Sequence, residues 1–176
     1  MIILFGGLDI HKYGFSLKNK FRNIIAGIII YFLIFSSTLG PLYIVLIIFG
    51  SKIFFNVKIF LVVLPSMLVV GLGEEALFRG LLQRLFIEKI GYRKGFFLSS
   101  FVLFVIWHMV WFYMYQRPII ITTIYIILAG LLGILLGLAF EGSDSLLAVI
   151  ITHGLWDAVM ASLYVSNPAL QIHRTY

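Results

Sequence analysis

The segment that decides the fold is residues 59–85, which read IFLVVLPSMLVVGLGEEALFRGLLQRL. Its first part, Ile59–Leu72, carries no charge, and the whole segment is long enough to cross a bilayer as a helix, which takes about 20 apolar residues. The same segment contains Glu74, Glu75 and Arg79. Charged side chains within a membrane span are energetically costly and usually face the interior of a helix bundle. This one stretch therefore predicts both a transmembrane helix and a buried polar site.

Four further apolar runs extend this prediction to a polytopic bundle. The chain of 176 residues is 62% hydrophobic and 11% charged, whereas a soluble domain carries about a quarter charged residues. We therefore predict an all-α transmembrane bundle of about five spans that forms a single integral membrane domain over residues 1–176. The predicted spans are 24–49, 59–85, 96–115, 119–140 and 146–165. Small residues in the fourth span predict close helix packing there, namely Gly130, Gly133 and Gly137.

The N-terminal stretch and the distribution of basic residues bear on the orientation of the chain in the membrane. Met1–Leu8 is apolar but too short to span, so an interfacial helix and the beginning of a longer helix both stay open for it. Lys and Arg concentrate in the cytosolic loops of membrane proteins. One set of loops carries Lys12, Lys18, Lys20, Arg22, Arg84, Lys89, Arg93 and Lys94, and the opposite set carries Lys52, Lys58, Arg117 and Arg174. This bias predicts a cytosolic N-terminus.

The net charge of +6 and the absence of cysteine narrow the functional classes. Because the basic residues flank apolar runs, they indicate contact with anionic membrane lipids and no binding of nucleic acid. A chain without cysteine has no disulfide, no thiolate metal site and no cysteine nucleophile. Any metal bound by this chain would therefore need histidine and carboxylate ligands.

Six ionisable side chains lie within the predicted spans: Glu74, Glu75, Arg79, His108, His153 and Asp157. Glu75 and Arg79 are four residues apart in the order that favours a helical ion pair. Glu74 points about 100° away around the helix and has no obvious partner on it. The functional interpretation leaves Glu74 available for chemistry. The structural alternative is that both acids only pair with basic residues.

The two histidines have functional and structural interpretations as well. Phe104 lies one helical turn before His108 and can pack on its ring, as in an ordinary buried histidine. His153 and Asp157 share one helix face, and the structural alternative is that Asp157 only satisfies His153. At 1.5 Å per residue, Glu74, His108 and His153 fall at similar depths, so we expect them in one layer. A carboxylate and imidazoles placed together can activate water and stabilise an oxyanion.

Three motifs in this order resemble the CPBP family, also called the Abi or CAAX-protease-like family. Residues 74–79 match EExxxR, residues 104–108 match FxxxH, and residues 153–157 match HxxxN with Asp in place of Asn. The resemblance covers about residues 60–165 and implies an intramembrane glutamic-type endopeptidase. By this resemblance Glu74 and His108 activate the water, His153 and Asp157 form the oxyanion side, and Glu75 and Arg79 support the site.

The resemblance also bears on substrate, cofactor and origin. It implies a membrane-presented substrate, either a CAAX-like prenylated tail or a bacteriocin or leader peptide, and the small size favours a prokaryotic cell membrane. An ionised Asp cannot donate a hydrogen bond, so Asp157 would act either protonated or by holding His153 as the donor. No cofactor is expected, although a divalent metal such as zinc would find ligands in Glu74, His108 and His153.

Two other functions are compatible with the same residues. A non-catalytic immunity or scaffold protein would retain the fold without hydrolysis. A proton-linked carrier would use buried Glu and His as a relay, but five spans without an inverted repeat fit that class poorly. No signature of a zinc, rhomboid or presenilin-like membrane protease occurs in the chain.

Overall fold

The computed structural model describes residues 19–48, 50–114 and 119–166. The helices and strands are α1 (Lys20–Ile48), β1 (Lys52–Phe55), α2 (Val57–Glu75), the π-helical segment π1 (Ala76–Gln83), α3 (Arg84–Ile90), α4 (Tyr92–Phe97), the π-helical segment π2 (Leu98–Leu103), α5 (Phe104–Met114), α6 (Ile119–Ser143), α7 (Leu146–Ser162) and β2 (Leu163–Ser166). The stretch Met1–Leu8 lies outside the described residues, as do Lys12, Lys18, Arg117 and Arg174.

The helices of the described residues form five apolar rods, which confirms the predicted all-α polytopic bundle. The segments α2, π1 and α3 make one continuous helix, and α4, π2 and α5 make another. Among the described residues, four helices are long and apolar enough to cross a membrane: Lys20–Gly40, Val57–Ile90, Tyr92–Val110 and Tyr125–Ser143. The fifth rod is α7, whose 17 residues reach the lower limit for a span.

A small antiparallel sheet was not predicted. Strand β1 pairs with β2, with Lys52 opposite Ser166 and Phe55 opposite Leu163. The fifth span, expected to run to residue 165, therefore ends at Ser162, because the chain leaves the helix to pair with β1. Asn56, which directly follows β1, donates its backbone N–H to the Ser162 carbonyl at 3.0 Å. Its side chain accepts the Ile59 N–H and so caps α2.

Helix α7 lies at the centre of the bundle and packs against α1, α2 and α6. Its approach to α2 depends on two glycines. A Cβ on Gly71 would lie 3.2 Å from the Ile150 carbonyl oxygen, and one on Gly154 would lie 3.0 Å from the Leu68 Cα. Close backbone contact therefore fixes α7, which carries His153 and Asp157, against the helix that carries the two glutamates.

The glycines of α6 allow the rod formed by α4, π2 and α5 to approach, as predicted. A Cβ on Gly130 would lie 3.2 Å from a methyl group of Val105, and one on Gly137 would lie 2.9 Å from the Phe96 ring. Gly133 faces Ser100 and Phe104 even more closely. This seam brings α5 and its histidine against the core of the bundle.

The two π-helical segments adjoin the polar residues singled out from the sequence. Segment π1 begins directly after Glu75 and contains Arg79, while π2 ends directly before Phe104. π-Helical turns are rare and occur frequently at functional sites. The two segments contact each other, and both contact α6.

Candidate active site

The structure brings all six sequence-predicted site residues together. Helix α2 supplies Glu74 and Glu75 at its C-terminal end, π1 supplies Arg79, α5 supplies His108, and α7 supplies the remaining two, His153 and Asp157. The side chains of Glu75 and Arg79 are 0% exposed and that of His153 is 1% exposed. Those of Glu74, His108 and Asp157 are 14%, 21% and 30% exposed. The cluster thus has a sealed half and an accessible half.

The sealed half is an ion pair that also holds one histidine. Arg79 Nη1 lies 3.1 Å from Glu75 Oε1, which confirms the predicted pair, and the same oxygen lies 2.6 Å from His153 Nδ1. Arg79 Nη2 donates to the Gly133 carbonyl at 2.8 Å, and its guanidinium carbon lies 4.5 Å from the centre of the Phe104 ring. Arg79 thereby joins α2 to α6, and the shared Glu75 oxygen joins both helices to α7.

Both histidines present the same nitrogen toward Glu74. His108 Nδ1 lies 2.8 Å from the Phe104 carbonyl, and because a carbonyl only accepts, this nitrogen carries the hydrogen. His153 Nδ1 donates in the same way to the Glu75 carboxylate. The Nε2 atoms of both rings lie 3.8 Å from Glu74 Oε2. Phe104 also packs on the His108 ring, with 4.3 Å between ring centres.

Glu74 is held by a residue that the sequence did not single out. The indole N–H of Trp107 donates to Glu74 Oε1 at 3.0 Å. The other oxygen, Oε2, is buried and has no hydrogen-bond partner among the described residues. The sequence could have identified Trp107, because a tryptophan N–H inside an apolar span needs an acceptor. Trp107 also directly precedes His108.

Asp157 lies at the edge of the cluster. Its Oδ2 is 3.5 Å from His153 Nε2, which is beyond an ordinary hydrogen bond. The closest carboxylate to His153 is therefore Glu75 and not Asp157. Asp157 and His108 both line a cavity of about 170 Å³ between α5, α6 and α7.

The part of the chain that carries these residues matches a known protein family. Residues 56–159 match the family described as type II CAAX prenyl endopeptidase Rce1-like. The chain belongs to this family. The matched range runs from the cap of α2 into α7 and contains all six clustered residues. No curated protein and no solved structure shows a significant match to the chain.

Membership in the CAAX endopeptidase family confirms the resemblance drawn from the three motifs. It supports an intramembrane endopeptidase, a hydrolase of peptide bonds, in a multi-pass membrane protein. The matched range begins a few residues before the expected start at about residue 60 and ends within α7.

The donor atoms of the cluster fit a divalent metal. One ligand atom each from Glu74, His108 and His153 lies within 4.8 Å of the others. Histidines that bind metal usually donate their second ring N–H to a carboxylate or a backbone carbonyl, and both histidines here do so. Three protein ligands of this kind leave a further position for water, as in catalytic zinc sites. A bound zinc would make that water more acidic.

A second set of polar groups lies one turn beyond Arg79 and was also not predicted; its members Gln83 and Ser100 are buried. Gln83 donates to Glu141 Oε1 at 2.7 Å and to the Gly137 carbonyl at 3.3 Å, and it accepts from the Ser100 hydroxyl at 2.9 Å. These bonds join π1, π2 and α6. They reinforce the same contact that Arg79 makes with Gly133.

Proposed function

We propose that the chain hydrolyses a peptide bond of a membrane-presented substrate with water activated by Glu74 and His108. The observation that carries the proposal is the position of Glu74 Oε2, which faces the Nε2 atoms of both histidines at 3.8 Å. Separations of this length are too long for direct hydrogen bonds, and they allow one small species to contact all three atoms. A water molecule is such a species.

The proposed reaction uses the two oxygens of Glu74 differently. Oε1 is held by Trp107, and Oε2 takes a proton from the water while His108 Nε2 accepts its second hydrogen bond. The water oxygen forms a bond to the carbonyl carbon of the scissile peptide. The carbon–nitrogen bond then breaks, and the proton on Glu74 passes to the leaving amine. General base catalysis of this kind contributes about 10²–10⁴-fold to rate.

We assign His153 and Asp157 to the oxyanion side. Because Nδ1 of His153 is bonded to Glu75, only its Nε2 can donate to the oxyanion, and this requires the imidazolium form. Asp157, at 3.5 Å from that nitrogen, balances the positive charge. The substitution of Asp for Asn in the HxxxN motif then has an indirect role, through the charge of His153. Glu75 and Arg79 position the ring without touching substrate.

The substrate classes we propose are a CAAX-like prenylated tail and a bacteriocin or leader peptide. Both present an extended peptide at the surface of a bilayer. We propose membrane lipids as the surrounding partner, a cell membrane of prokaryotic type as the location, and a cytosolic N-terminus. Zinc or another divalent ion on Glu74, His108 and His153 is a variant of the same hydrolysis.

Peptide cleavage by purified protein tests the proposal. We expect the wild-type protein in detergent to cut a member of a panel of prenylated CAAX and leader peptides. Glu74→Gln should lower kcat at least about 100-fold without lowering the melting temperature. Glu88→Gln, on the exposed face of α3, is the matched control and should cut like wild type. Cleavage that survives Glu74→Gln would refute the assigned role of Glu74, and loss of activity with a chelator would assign the site to a metal.

A further inference from the structure

The cavity beside the site has walls of two kinds. His108 and Asp157 form its polar end. Its remaining walls come from α6 and α7 and are mainly apolar, including Leu128, Ala129, Leu132, Trp156 and Met160. An apolar cavity with a polar end at reactive groups is the usual form of a ligand site. The sequence-predicted roles of His108 and Asp157 do not involve these apolar walls.

The size of the cavity selects the kind of group it can hold. Its volume is about 170 Å³. An apolar protein cavity of about 150 Å³ binds one benzene molecule, whereas pockets for drug-sized ligands have about 300–1,000 Å³. A single aliphatic or aromatic side chain matches the available space, and a long isoprenoid chain exceeds it.

We propose that this cavity binds the apolar side chain of a substrate residue next to the scissile bond, and that Ala129 limits the size of that side chain. The proposal rests on the peptidase function proposed above. A peptide carbonyl that accepts from His153 Nε2 lies beside Asp157. Because Asp157 and His108 line the cavity, an adjacent side chain of that peptide lies at the mouth of the apolar part. Ala129 is buried on α6, between Leu128 and Leu132. Its methyl group leaves the space that a leucine side chain would fill.

Substrate preference is the quantity that tests the pocket. We would measure kcat/KM for peptides that carry Ala, Leu, Phe or Trp at each of the two positions flanking the scissile bond. Wild type should prefer Leu and Phe over Ala at one of them, because each methylene bound in a pocket is worth about tenfold or more in kcat/KM. Ala129→Leu should lower the Leu-to-Ala and Phe-to-Ala ratios at least about tenfold. Leu128→Ala should raise the Trp-to-Leu ratio.

The matched control is Ala161→Leu, the same chemical change at an exposed position of α7. It should leave all ratios unchanged. A general loss of folding in Ala129→Leu would lower every kcat/KM alike and would not change the ratios. If wild type cuts the peptides and Ala129→Leu leaves the ratios at their wild-type values, the pocket assignment is wrong while the peptidase function stands.

A binding measurement separates the pocket from the reaction. Glu74→Gln protein would be irradiated with a peptide that carries a photoreactive diazirine analogue of leucine at the preferred position. The expected result is cross-linking to residues of the cavity, with Met160 as a principal site, and loss of those cross-links in Ala129→Leu. Cross-links in the cavity without cleavage by wild type would support the pocket and contradict the peptidase function. Absence of both cleavage and cavity cross-links would overturn both.

Discussion

The hydrogen bond from Trp107 to Glu74 makes the two carboxylate oxygens inequivalent. Hydrogen bonds to charged groups contribute about 1.5–3 kcal/mol, so loss of this one should disorder the base. We predict that Trp107→Phe, which keeps an aromatic ring near Phe78 but removes the N–H, lowers kcat about 10- to 100-fold. KM should change little, because Trp107 contacts the glutamate and not the pocket.

Tryptophan fluorescence provides the control for this prediction. Emission from Trp107, obtained as the difference between wild type and Trp107→Phe, should shift when Glu74 is replaced by Gln, since the acceptor then loses its charge. That shift would report the contact itself. A purely structural role of Trp107 would lower the melting temperature and leave kcat of the folded protein unchanged. Wild-type kcat in a well-folded Trp107→Phe protein would contradict the positioning role.

The buried ion pair of Glu75 and Arg79 should contribute to the stability of the fold. Removing one member of a buried ion pair leaves an uncompensated charge and costs about 3–5 kcal/mol. We therefore predict that Glu75→Gln lowers the free energy of unfolding in detergent by about this amount, as measured by denaturant titration. Replacing both residues, Glu75→Gln with Arg79→Met, should recover part of the loss. Additive losses in the double variant would show that the two side chains do not stabilise each other.

At the level of helices, Gly133 lets α6 approach the rod of α4, π2 and α5. A Cβ there would meet the Ser100 carbonyl and would lie 2.8 Å from the Phe104 ring. Overpacking of this kind costs about 1–3 kcal/mol. We predict that Gly133→Ala destabilises the protein and also lowers activity, because Phe104 packs on His108 and the Gly133 carbonyl holds Arg79.

Gly142→Ala is the matched control on the same helix. An added Cβ there meets nothing within 4 Å, and alanine favours a helix over glycine by about 1 kcal/mol. This variant should be at least as stable as wild type in a thermal melt and should retain activity. Equal destabilisation by the two substitutions would contradict the close-packing role assigned to Gly133.

The rods could be predicted from the sequence because an uninterrupted apolar run has few alternatives to a membrane span. The ends of the helices were harder to predict. The second rod continues to Ile90 through Arg84, Glu88 and Lys89, which look like loop residues, and stops where Gly91 adopts a φ of 84°. The pairing of β1 with β2 joins segments more than 100 residues apart, and neither has a local signal for it.

The site could be predicted as a set of residues but not as a set of contacts. Unpaired charges in apolar spans identified Glu74, His108 and His153, because lipid excludes charges that serve no purpose. The Trp107 donor and the Gly133 acceptor depend on helix rotation, and two π-helical segments change the spacing expected for α-helices. His153 was expected to depend on Asp157, four residues away, yet its short contact is with Glu75 on another helix.

Two features at opposite ends of the bundle indicate where the surfaces of the bilayer lie. At one end of the bundle Arg84 forms an ion pair with Asp144, and its guanidinium lies 4.8 Å from the centre of the Phe140 ring. At the other end is the two-stranded sheet, whose open edges require water or head groups. From Asp144 to Leu163 along α7 the rise is about 28 Å, close to the thickness of the hydrocarbon core of about 30 Å. His153 lies nearly halfway, at about 13 Å from Asp144.

The same boundaries predict the labelling pattern of single cysteines, which a chain without native cysteine makes simple to measure. Tyr92 and Phe54 are both exposed but lie at opposite ends of the bundle, and Val69 is exposed on the side of α2 between them. With the N-terminus in the cytosol, a membrane-impermeant maleimide should label Phe54→Cys in intact cells and Tyr92→Cys only after permeabilisation. Val69→Cys should resist the reagent in both cases, because the thiol faces lipid.

The reverse labelling pattern for Phe54→Cys and Tyr92→Cys would place the loop at residue 91 outside the cell. That result would contradict the orientation derived from Lys and Arg. Failure to label Phe54→Cys even after permeabilisation, with Tyr92→Cys labelled, would place the sheet within the hydrocarbon and contradict its use as a boundary.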